Sequence, residues 1–142
     1  MKRIVFFLII IIICSKRTPL ITNNKIEGTW EMVYAEIIEN DSLKLKDLSN
    51  TSFIKIINKS HFSFFNQENS GTKNYYSGAG SYILKDGNYT ETLNFTTVEA
   101  IKKHQFSFKT VVKGDTLIQS GIEKVAAAGI NRYILEKYIK LN

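Results

Sequence analysis

From Trp30 onward the chain is a series of short runs in which apolar and polar side chains alternate, each closed by turn-forming residues. A period of two sends successive side chains to opposite faces of an extended strand. In the first run Trp30, Met32, Tyr34 and Glu36 fall on one face. Residues 53–57 and 61–65 flank Asn58-Lys59-Ser60 and read as a hairpin, the asparagine tolerating left-handed geometry. Asp86-Gly87 between residues 78–84 and 89–95 is a strong two-residue hairpin signal. Lys113-Gly114-Asp115 separates a run carrying Phe106, Phe108, Thr110 and Val112 from residues 116–122, and a last strand spans 131–141. The polar segments 39–50 and 66–77 read as long loops, the second with Tyr75 and Tyr76 exposed. Residues 123–130 are a further loop, and 97–103 a short helical turn. About eight strands result, with no helix long enough for a crossover. The expected fold is all-β: an antiparallel up-and-down sheet closed into a barrel, because closure removes exposed edges. A β-sandwich is the alternative. With 142 residues and 44% hydrophobic content, one domain can bury a sizeable core.

The start of the chain follows different rules. Met1-Lys2-Arg3 is a basic start, residues 4–13 are unbroken apolar (IVFFLIIIII), and Cys14-Ser15-Lys16-Arg17 follows. At about 1.5 Å per residue the apolar run reaches roughly 15 Å as a helix, half of a bilayer core. The layout is that of an export signal without a small-x-small cleavage site. Residues 11–15 (IIICS) resemble the lipobox of bacterial lipoproteins, although Ile13 stands where a small residue is usual. The resemblance implies that Cys14 is lipidated and that residues 1–14 form the signal segment. Acyl chains anchor by burying methylenes, about 0.8 kcal/mol each. Ser15 after the cysteine then implies the outer membrane of a Gram-negative envelope. Residues 15–25 are polar and read as a tether, leaving 26–142 as the barrel domain.

The mature region resembles the lipocalin and fatty-acid-binding class of barrels, and more closely the lipocalin-like domains of small bacterial lipoproteins. The residues that carry the resemblance are Gly28-Thr29-Trp30, Gly80-Ser81-Tyr82, Asp86-Gly87 leading into Tyr89-Thr90-Glu91, Gly114-Asp115-Thr116-Leu117, and Glu136-Lys137-Tyr138-Ile139-Lys140. The group's ending is usually Glu-x-Trp-x-Arg, so Tyr138 stands for the tryptophan and Lys140 for the arginine. The resemblance implies structural roles for Gly28, Trp30 and Lys140. Trp30 plugs one end of the barrel, and a late cation packs across its ring. That cation is Lys140 by alignment, or Arg132.

Chemistry is sparse. The formal net charge is +6, thinly spread, and part of it belongs to Lys2 and Arg3, which argues against nucleic-acid binding. A lone cysteine excludes an internal disulfide and any multi-cysteine metal site, and His61 and His104 have no metal spacing. No nucleophile motif or phosphate-cradling glycine loop is present, so neither catalysis nor a cofactor is expected. The candidate binding set is Tyr34, Tyr82, Tyr89, Glu91, Arg132 and Glu136, with Phe62, Phe64, Phe106 and Phe108 as apolar lining. If Glu91 and Glu136 point inward each needs a partner, because an unpaired buried charge is very costly. Arg132 and Lys140 are the candidates. Such a cluster would either hold a carboxylate or hydroxyl headgroup or serve only as an internal network fixing strand register. The expected function is a lipid-anchored envelope protein binding a small hydrophobic or amphipathic ligand. The alternative is an interaction or inhibitor module that works through its loops around a filled barrel.

Overall fold

The computed structural model describes residues 26–71 and 75–141. The lipidation expected at Cys14, the signal segment and the tether at 15–25 lie outside the described residues. Among the described residues nine strands run in chain order: β1 (Gly28–Glu39), β2 (Ser42–Leu45), β3 (Thr51–Ile57), β4 (His61–Glu68), β5 (Tyr76–Lys85), β6 (Asn88–Thr96), β7 (Gln105–Lys113), β8 (Thr116–Val125) and β9 (Ile130–Leu141). Each pairs antiparallel with the next, except that β3 pairs with β1 rather than β2, and β9 returns to β1. Eight strands therefore close an up-and-down barrel, and β2 is a short flap paired to β1 alone. Closure is extensive: nine residue pairs join β1 and β9, from Thr29↔Leu141 to Ile38↔Tyr133.

The turns follow the local chemistry. Asp86 and Gly87 have φ of 51° and 74°, as a tight hairpin with the right-handed twist of its strands requires. Asn40-Asp41 makes a second turn of this kind, with φ of 51° and 56°. That turn folds β2 back onto β1 inside the segment expected to be loop. The polar sequence hides it, because β2 is exposed along its whole length and carries no buried face. At the edges of the second segment expected to be loop, β4 runs on to Glu68 and β5 starts at Tyr76. The expected helical turn is the short 3₁₀ segment Glu99–Ile101, and a second, Ala126–Ala128, sits between β8 and β9.

One end of the barrel is packed solid. Trp30 is fully buried, donates from Nε1 to the Ile26 carbonyl at 2.8 Å, and has the Lys140 ammonium 5.4 Å from its ring centre. Of the two candidate cations Lys140 is thus the one on the indole, facing Trp30 across the β1–β9 ladder. Gly28 keeps the approach open, because a Cβ there would lie 2.7 Å from Lys140 Cε, at a φ of +145° that suits glycine. Phe62, Tyr82, Tyr89, Ile57 and Leu117 are buried around it.

Candidate functional site

The other half of the interior is hollow. A cavity of about 530 Å³ opens there, within the range of small-molecule sites. Its apolar walls come from Ala35, Ile37, Phe53, Phe64, Leu93, Phe106, Phe108 and Ile134. Gly78 on β5 makes room for this lining: a Cβ there would meet the Phe64 ring at 2.6 Å and Leu93 at 2.8 Å. Phe53 stacks on Phe64 with centroids 5.5 Å apart and leans on Tyr138 at 6.1 Å.

Alternation carries charged side chains onto the same face as these rings. On β3, Phe53, Lys55 and Ile57 all point inward. Lys55 is 3% exposed and forms an ion pair with Glu91, itself 6% exposed. Its ammonium also donates to Gln119 Oε1 at 3.0 Å and lies 5.1 Å from the Tyr89 ring centre. Gln119 passes the chain on, donating from Nε2 to Glu136 Oε2 at 3.3 Å, and the Tyr138 hydroxyl donates to that same oxygen at 2.6 Å. The floor of the cavity is therefore a continuous polar network, Glu91–Lys55–Gln119–Glu136–Tyr138. A buried charge held this way avoids the penalty of an unpaired one. Desolvation by the surrounding walls raises the Glu136 carboxyl above its ordinary range, against the pull of Lys55 and Tyr138. Desolvation and the neighbouring Glu136 push the Tyr138 hydroxyl well up, so it stays a hydrogen-bond donor.

A second polar level lies nearer the opening. Arg132 Nε meets Glu123 Oε2 at 2.6 Å. Lys46, just after β2, reaches into the barrel and donates to Asn66 Oδ1 at 3.1 Å and to the Tyr76 hydroxyl at 3.4 Å. Its ammonium lies 4.8 Å from the Phe53 ring centre. Burial lowers the Lys46 pKa, and burial pushes the Tyr76 hydroxyl up to about 12.

The cavity brings together residues expected from the sequence to line a site: Phe64, Phe106, Phe108 and Arg132, with Glu91 in the floor network. Glu136 joins them on the floor. Phe62, Tyr82 and Tyr89 face inward but belong to the packed end. Tyr34 is a correction. A register shift between Met32 and Tyr34 turns the rest of β1 over, so Ala35 and Ile37 point inward instead. Tyr34 lies outside, hydrogen-bonded to Glu36 and covered by Lys137, whose ammonium is 4.6 Å from its ring centre. The partners expected for the inward acids also change. Glu91 pairs with Lys55, Arg132 with Glu123, and Lys140 belongs to Trp30.

Sequence reasoning missed Lys46, Lys55, Gln119, Glu123 and the lining role of Tyr76. For Lys55 the signal was present, because it shares a period-two face with Phe53 and Ile57. Lys46 carried none, since its place depends on the β2 flap. Among the described residues no three His, Cys, Asp or Glu side chains cluster to hold a metal ion, and no helix is long and apolar enough to cross a membrane. No protein-family model, curated protein or solved structure matches this chain.

Proposed function

We propose that this chain is a lipid-anchored, lipocalin-like protein of the bacterial cell envelope that holds a small hydrophobic or amphipathic molecule inside its barrel. One observation carries the binding part: a half-hollow barrel whose 530 Å³ cavity is walled by phenylalanine and aliphatic side chains around a few fixed polar groups. Leaving that volume empty forfeits packing contacts that core residues would supply. A chain selected only for a stable barrel gains nothing from it, whereas a carrier needs it. The anchor rests on the basic start, the apolar run and Cys14. The reading is of a binding protein without catalysis, since the floor network is tied up in mutual hydrogen bonds and ion pairs. A loop-driven interaction module around a filled barrel has less support, because this interior is not filled.

The test is native mass spectrometry of the full-length protein extracted from membranes of its own host. A co-purifying small molecule, together with a mass increment from acylation at Cys14, is the expected result. Unmodified protein that carries nothing and displaces no fluorescent fatty acid would sink the proposal.

A further inference from the structure

Resting on that cavity reading, we infer that Lys46 and Tyr76 seat the single negative charge of an amphipathic carboxylate, whose apolar body lies against the phenylalanine wall below. Three cations line the cavity among the described residues: Lys46, Lys55 and Arg132. Lys55 has Glu91 in contact and Arg132 has Glu123, so both are already neutralised. Among the described residues Lys46 meets only the neutral oxygens of Asn66 and Tyr76 and the faces of Phe53 and Tyr76. An ammonium held among rings without a carboxylate is incompletely compensated, and an anion supplied by a ligand completes it. The Tyr76 hydroxyl, 3.4 Å from Lys46 Nζ, stands ready as a second donor to that anion.

The geometry also sets the charge and direction of the ligand. Level by level, the opening carries Lys46, Arg132 and Glu123, a surplus of one positive charge, while the floor carries Lys55, Glu91 and Glu136. An anion is therefore favoured near the opening and disfavoured at the floor. The fields of Glu136, Arg132 and Glu123 all reach Lys46. One negative charge balances the single positive surplus at that level, so a monoanion fits the seat. Phe53 and Phe64, which border Lys46 and Tyr76, lead from the headgroup into the apolar wall.

The experiment is isothermal titration calorimetry of the full-length protein with decanoate, and with decan-1-ol as a probe of the same body without the charge. Decanoate should bind at least about tenfold tighter than the alcohol, the effect of one charge-assisted hydrogen bond. Lys46→Gln should remove that preference while leaving decan-1-ol binding unchanged. Lys46→Arg should keep it, and Tyr76→Phe should reduce decanoate binding alone. If Lys46→Gln does not fold, the Lys46→Arg and Tyr76→Phe results decide. Equal binding of both probes, untouched by substitution at Lys46 or Tyr76, would overturn the headgroup seat and leave the cavity reading standing. Binding of neither probe would overturn both.

Discussion

Lys55 and Glu91 form an ion pair that is almost entirely shielded from water. At about 4 Å and an effective dielectric near 20, two unit charges attract by about 4 kcal/mol. Lys55→Met keeps most of the stem volume and removes the ammonium, leaving Glu91 charged at 6% exposure. Breaking one side of a buried pair costs about 3–5 kcal/mol. Glu91→Leu should cost a similar amount by stranding Lys55 at 3% exposure. The double variant strands neither charge. It forfeits mainly the hydrogen bond from Lys55 to Gln119, about 1–3 kcal/mol for a buried acceptor left open. The two losses should therefore fail to add by about 3 kcal/mol or more. Total stability of a domain this size is about 5–15 kcal/mol, so either single variant is pushed close to its limit. Urea unfolding reads this directly, because Trp30 is the sole tryptophan and fully buried, and its fluorescence shifts when the barrel opens. A single-variant loss under about 1 kcal/mol, or a double variant as unstable as the two singles combined, would refute the reasoning.

Trp30→Ala should destabilise by about 3–5 kcal/mol, from the lost indole packing and its bond to Ile26, and a loss well under 1 kcal/mol in the same assay would contradict the plug. Because Glu136 titrates higher in the folded chain than its ordinary 4.5, its contribution is fully present below that pH and is lost as pH rises through the folded value. Urea midpoints of Glu136→Gln relative to the parent chain should thus move in favour of the variant as pH rises above 4.5, and a constant difference would count against the desolvated carboxyl. Tyr34→Phe should leave both the urea midpoint and probe binding essentially unchanged, since the side chain is outside the barrel. Gly78→Val should cost about 1–3 kcal/mol by driving Phe64 and Leu93 into the cavity, with weaker decan-1-ol binding in calorimetry as the accompanying sign.

What was legible in the sequence was whatever depends on neighbours a few residues away. The period-two runs fixed the strands after β2, Asp86-Gly87 announced its turn, and the paired ends carrying Trp30 and Lys140 pointed to closure between first and last strands. Phe106 and Phe108 could be placed inward by parity alone, and parity would have served Lys55 equally well had the apolar residues around it not masked it. Parity failed at Tyr34, because one register shift reverses every side chain beyond it, and the alternating letters do not show where the shift falls.

The sequence by itself determined an all-β chain of short antiparallel strands, with its tryptophan and its late lysine on inward faces. Only the tertiary structure decided that one half of the barrel is solid and the other hollow. Aromatic residues at alternate positions look the same whether they fill a core or line a cavity, and the difference lies in what faces them across the barrel. It also decided which acid meets which base: Lys55 and Glu91 are 36 positions apart in the chain, and Lys46 enters the interior only because a four-residue flap folds back on β1. Those pairings arise from closure of the sheet, an event that strand periodicity does not encode.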